Sequence, residues 1–347
     1  MEITKELKDI SWQVPESTYR ADPALSYSTL AKFEREGFNN LDNLFDHIST
    51  QSLLEGSMVD CLITGSREEF DDLYFVTDYP SIGDKEQQIV LALYDRFHTT
   101  CMQFSDIPYE EILQAIYKFD WQKNWRDDTR VMVLSERGAT YYNIKVQAGD
   151  KTVVDGNTYD RVIKMVQSLK TSPSTQGYFA DNDSMSPVRR YYQLKFRAKF
   201  SGVNYRCMAD LLLVDYEDKK VYPIDLKTSG HHEWDFQDSF CQWSYMIQAR
   251  LYWRIIKANM SQDPYFRSFS LEDYRFIVVN KKSLTPLVWE FPFTQGVGTL
   301  VDKNGKEYRD PFTIGSELQA YLNLRPQVPV GIDKDGVNTI TCLKPKE

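Results

Sequence analysis

Residues 208–230 read MADLLLVDYEDKKVYPIDLKTSG. Two lone carboxylates, Asp210 and Asp225, interrupt apolar runs there. A charge in an otherwise buried strand costs several kcal/mol unless something pairs with it. Either these aspartates face water, or they hold a cation. If the intervening turn is the four residues Tyr216 to Lys219, Asp215 lies opposite Lys220. Counting back along both strands then sets Asp210 opposite Asp225, where like charges repel. Any even-length turn keeps the pair on one face, and an odd one splits it between faces. The two-residue period also brings Lys227 to the face of Asp225. Facing carboxylates favour a divalent cation, and oxygen-only ligands select a hard one, so Mg2+ or Mn2+ is expected. A lysine beside such an ion can orient or deprotonate a water, the equipment of metal-assisted phosphodiester hydrolysis. Side chains aimed to opposite faces, or a salt link filling the cation's place, would count against this reading.

The elements that must position these residues follow from periodicity. QLKFRAKF alternates as a half-buried strand, YRCMADLLLV and VYPIDLKT are two more, and SGVN and DYEDKK turn the chain between them. Pro223 argues that the third strand lies at an edge. One long helix is expected from Glu233 to Asn259, then strands at YRFIVVN and PLVWEF. Upstream, a helix begins at YSTLAKFE with Ser28 as N-cap, and another runs from Leu44 to Gly65. Residues 84–119 form two helical pieces broken near Pro108, and helical spacing returns over 157–169. The last fifty residues carry one helix, IGSELQAYLNL, and no chemical signature. The middle of the chain is therefore β-β-β-α-β-β behind a mostly helical N-terminal third: an α/β class.

Within the expected long helix, Tyr245, Gln248 and Tyr252 share a face. A buried amide among apolar neighbours needs a partner, and Gln and Tyr beside carboxylates suit phosphate contacts. Asp210, then Asp225-Leu226-Lys227, then Gln248 with Tyr252, resembles the PD-(D/E)XK nuclease superfamily, and within it the phage-type exonuclease VIII (RecE-like) and RecB-like branch. LSYSTLAKF (25–33) is similar to that family's S-x-S-x-L opening, and residues 53–76 to its following helical segment. The resemblance spans roughly 25–295. It implies a restriction-endonuclease-like core, with a mixed central sheet flanked by helices and a helical insertion around 80–185. It implies terminal extensions at 1–24 and 296–347. It further implies that Asp210, Asp225 and the Leu226 carbonyl bind Mg2+ or Mn2+, that Lys227 assists water, and that Gln248 and Tyr252 lie near the scissile phosphate. Asp60 stands where the family usually has a metal-binding histidine and is the further metal ligand implied, with Glu55 a weaker candidate. Tyr245, Thr228, Arg190 and Arg197 become candidate DNA contacts. The activity implied is exonucleolytic hydrolysis at duplex DNA ends, in a ring-forming homo-oligomer, with a single-strand annealing protein as a possible partner. An endonuclease, a Cas4-like processing nuclease and an inactive DNA-binding relative are the alternatives.

The totals fit this reading. The chain has 347 residues, 42% hydrophobic and 14% aromatic, enough for a large core. No apolar run reaches the length of a membrane span, and the N-terminus lacks a signal-peptide core, so a cytoplasmic protein is expected, in the host cytoplasm if phage-encoded. Five scattered cysteines, never in a CxxC, argue against a disulfide framework or an iron–sulfur cluster. A formal charge of −9 requires any DNA-binding cations to be concentrated locally. The stripe Arg189, Arg190, Lys195, Arg197 and Lys199, interleaved with Tyr191 and Tyr192, is one place for them. His231-His232 point apart and make a poor metal pair.

Overall fold

The computed structural model describes residues 3–38, 44, 51–65, 67–79, 82–100 and 103–324. The chain divides into two compact units. One holds residues 1–48, 173–280 and 285–347 around a mixed sheet, and the other, helical, holds 49–172 and 281–284. Residues 3–38 and 311–324 thus belong with the sheet.

The sheet is built from β1 (Val188–Phe200), β2 (Val203–Asp215), β3 (Lys220–Ser229), β4 (Tyr274–Asn280) and β5 (Pro286–Phe291), hydrogen-bonded in that order. β1, β2 and β3 form an antiparallel meander, β3 and β4 run parallel, and β5 returns antiparallel. A parallel pair needs a crossover, and the Tyr245–Gln262 helix is in it. That helix is buried nearly all round, from Met246 to Met260. It is covered by the sheet and by the Tyr27–Glu36 and Pro311–Leu324 helices. The Pro311–Leu324 helix is therefore part of the packed sheet unit. At Gly315 an added Cβ would lie 2.2 Å from the Tyr205 hydroxyl, so only glycine lets that helix approach β2. The N-terminal segment is stitched on as well. Leu7 is fully buried with its N–H on the Tyr216 hydroxyl, and Leu25 exchanges backbone bonds with Asn204 and Arg206.

The expected register holds. Asp215 pairs with Lys220, and the ladder runs on to Leu211 opposite Ile224. Pro223, however, is in a central strand and not at an edge. Its place in the fold explains the exception. β3 pairs with Ser270–Leu271 at residues 220–221 and with β4 from Ile224 onward, so 222–223 face a break in the parallel neighbour. In an unbroken parallel ladder the Pro223 nitrogen would donate to the Glu272 carbonyl. That carbonyl accepts the Trp253 indole N–H instead, at 3.1 Å. A missing donor is thus replaced from the crossover helix.

Two other expectations change. The helix expected to begin behind Ser28 starts two residues earlier, at Tyr27, with Ser26 at the cap position. The segment after β3 is not one helix. A single 3-10 turn and the Phe236–Gln242 helix end at Ser244, which takes a left-handed φ of +56°, and the crossover helix starts anew at Tyr245. The expected helix from Leu44 is a helix over Gln51–Thr64, its residues 45–50 lying outside the described ones.

In the helical unit, Asp84–Phe97 and Tyr109–Lys118 flank the predicted break, and Gly156–Thr171 starts where Asp155 accepts the Thr158 N–H. The longest helix among the described residues, Asp127–Ala148, was not anticipated. It packs on Asp84–Phe97 where Gly138 leaves room for Val90, whose Cγ2 would meet an added Cβ at 2.7 Å. Among the described residues no helix is long and apolar enough to cross a membrane.

Replacing Gly315 by valine should cost about 1–3 kcal/mol through overpacking against the Tyr205 ring. Urea denaturation followed by tryptophan fluorescence measures it. An unchanged midpoint would show that the Pro311–Leu324 helix is not seated on β2 as described.

Candidate active site

The candidate site lies where β2 and β3 part. Their ladder ends at Leu211 opposite Ile224, and the next β2 residue, Asp210, uses its side chain instead of its backbone. Its Oδ2 accepts the Leu226 N–H at 2.9 Å. On the other flank the β1–β2 ladder skips the Gln193–Asp210 pair, and Gln193 adopts φ +52°. The core residues change parity across this irregularity, from Tyr205, Cys207 and Ala209 to Leu212 and Val214. Strand irregularities of this kind re-aim a side chain, and here the one affected is Asp210.

Asp225 sits beside it and is 1% exposed. Its Oδ1 accepts the Gln248 Nε2 at 2.5 Å, and its Oδ2 lies 2.6 Å from the Lys227 ammonium. That second contact is charge pairing without hydrogen-bond alignment, since Oδ2 accepts no well-directed bond. The Gln248 Oε1 is likewise buried with no hydrogen bond. The ammonium also lies 4.8 Å from the centre of the Tyr245 ring, a cation–π arrangement. The left-handed turn at Ser244 starts the crossover helix so that Tyr245 occupies its first position.

Burial acts to lower the Lys227 pKa, but its neighbours, the Asp225 charge first and Asp210 among the rest, outweigh it and the net shift is upward. Lys227 is therefore a firmly held ammonium. Burial, with smaller contributions from neighbouring charges including Asp225 and Asp210, holds the phenols of Tyr252 and Tyr274 well above their ordinary pKa. Tyr245 and Tyr27 shift the same way, burial again first. Four protonated phenols thus surround two carboxylates and one ammonium.

The structure brings together Asp210, Asp225, Lys227, Gln248, Tyr245 and Tyr252 within the sheet unit. The salt link between Lys227 and Asp225 lies where a cation was expected, and with two carboxylates to one ammonium the cluster keeps a net negative charge. Within the sheet unit, the described residues contain no group of three His, Cys, Asp or Glu side chains set to hold a metal. The donor chemistry nonetheless suits a hard cation. Two carboxylates and a buried amide oxygen without a hydrogen bond are ligands that Mg2+ accepts while keeping several waters.

Asp60 is half-buried on the Gln51–Thr64 helix of the helical unit. Glu55, on the same helix, is bound by Arg161 at 2.5 Å and Lys281 at 2.8 Å, which corrects its reading as a metal ligand. Much of the basic stripe is committed elsewhere. Arg190 donates to the carbonyls of Gly177 and Tyr178, Arg189 to those of Asp183 and Ser186, and Arg197 lies over Trp12 and near Asp22. Thr228 is half-buried on β3. His232 stacks on Trp234, with ring centroids 4.5 Å apart. Tyr27 and Tyr274 were not anticipated as neighbours of the carboxylates. The only hint was that Tyr27 falls inside the 25–33 segment.

No protein-family model matches the chain, and no curated protein matches it by sequence. Among solved structures it is similar to a crystal structure from Eubacterium rectale described as a "Putative exonuclease", at 10% identity and a TM-score of 0.43, over 97% of each chain. What is established is a mixed α/β chain whose sheet unit gathers these carboxylates, the ammonium and the amide on neighbouring elements.

Replacing Lys227 by methionine should leave Asp225 buried without a counter-charge, a loss of about 3–5 kcal/mol. Because the folded pKa of Lys227 lies above its ordinary 10.5, this contribution is fully present below pH 10.5. It should shrink by about 1.4 kcal/mol per pH unit above that value. Urea titrations of wild type and K227M between pH 8 and 11.5 test this, and a stability gap that stays constant above pH 10.5 contradicts it.

Proposed function

We propose that this chain is a metal-dependent deoxyribonuclease of PD-(D/E)XK type, acting as an exonuclease on duplex ends. The observation that supports it most is the buried Asp225, gripped by Gln248 and Lys227 beside the re-aimed Asp210. Asp210, Asp225 and the Leu226 carbonyl would hold Mg2+ or Mn2+, which when bound supplies Lewis-acid polarisation of a phosphodiester and a more acidic water. Lys227, which keeps its proton, stabilises negative charge developing on the phosphate. Gln248 fixes the plane of the Asp225 carboxylate, and the phenols of Tyr245 and Tyr252 are available as donors. An annealing partner, a ring assembly and a cytoplasmic setting belong to the same proposal.

The Lys227–Asp225 link favours a second reading, a nucleic-acid-binding relative that does not hydrolyse. Digestion of end-labelled linear duplex with Mg2+ separates the two. Wild type should release label from linear but not covalently closed DNA, and D225A should lose about 100- to 1,000-fold in rate, the scale of removing one charge-stabilising group. Undiminished cleavage by D225A rejects the assignment. No cleavage by wild type, with no Mn2+ heat in calorimetry, supports the second reading.

A further inference from the structure

The helical unit has a cleft lined by Asn157, Asp160, Arg161, Lys164, Lys281 and Lys282. Four of these six are cations and one is a carboxylate, in a chain of net charge −9. Two of the cations are fixed from below. The carboxylate of Glu55, 4% exposed, accepts Arg161 Nη2 at 2.5 Å and lies 2.8 Å from Lys281 Nζ. One buried negative charge thus carries two positive ones and leaves an excess of one at the floor. Lys164 stands three residues beyond Arg161 on the same helix, so it shares that face. Cations held in place by a buried carboxylate make a pre-organised seat for an oxyanion. The surrounding Lys164 and Lys282 are exposed, which suits a ligand that runs past the cleft more than one enclosed by it.

We propose that this cleft binds a backbone phosphate of a nucleic-acid strand, through residues other than those of the carboxylate site. The choice of ligand rests on the nuclease reading above, whereas the seat for an oxyanion does not. A strand phosphate fits because its neighbours along the backbone would meet Lys164 and Lys282, whereas a free phosphate would need only Arg161 and Lys281.

The test uses the full chain in EDTA, so that hydrolysis is off. Fluorescence anisotropy of a labelled short duplex and of its single strand is followed across a salt series, for wild type and K164Q/K282Q. Both replaced side chains are exposed, so the fold should survive. The double variant should bind about tenfold more weakly, with the slope of log K against log salt reduced by about two, one for each phosphate no longer neutralised. Unchanged affinity and slope overturn the proposal. Calorimetry with inorganic phosphate covers the other source of the same chemistry. Phosphate binding that the double variant loses, with its duplex binding intact, also overturns it. Mg2+-dependent digestion by wild type and D225A is run alongside. Weakened binding by the double variant without any wild-type cleavage would keep the cleft and remove the nuclease reading. D225A-sensitive cleavage with unaltered binding by the double variant would do the reverse.

Discussion

The sheet unit is organised around one buried charge. Asp225 is almost wholly removed from solvent on a central strand, and an ionised carboxylate there is tolerable only because two groups reach it. Gln248 comes from the crossover helix and Lys227 from the same strand, two residues on. Each requires a distinct element to be in place: β3 in its register, and the helix started at the right residue. Tyr245 at the first position of that helix also faces the ammonium, so the aromatic ring, the cation and the carboxylate lie together. With two carboxylates to one ammonium, the arrangement keeps a net negative charge. A divalent ion would have to displace or share Lys227, and this competition separates a hydrolytic from a purely binding role.

The parts of this arrangement that sequence could show were those with a period. Alternation in QLKFRAKF marked a strand, and the four-residue turn at 216–219 between two apolar runs gave the correct pairing of Asp215 with Lys220. Gln248 stood out because an amide among apolar residues demands a partner. What had no period could not be read. The left-handed Ser244 carries no glycine or proline to mark it, so two helices read as one. The irregularity at Gln193 that re-aims Asp210 is equally silent. The basic stripe had the right spacing, yet spacing says nothing of the backbone carbonyls that Arg189 and Arg190 bind. Pro223 was read by a sound rule whose exception depends on residues fifty positions away.

The helical unit gives the converse lesson. Val131, Leu134, Gly138, Tyr141 and Tyr142 recur at helical spacing and are buried on one side of Asp127–Ala148. The signal was present, and the glycine that diluted it is what allows the close approach of Val90. Glu55 shows how a carboxylate can mislead. By sequence it was a spare metal ligand, but its depth and two cationic neighbours make it the anchor of a positively charged surface.

The Trp253 indole bound to the Glu272 carbonyl has a mechanical meaning for the sheet. A ring that fills one specific gap between β3 and its parallel neighbours works like a key in a slot. Sliding β3 along its partners would leave a buried carbonyl bare and push proline against an intact rung. The position of the acidic side chain two residues further on is therefore indexed by an aromatic group that never touches it.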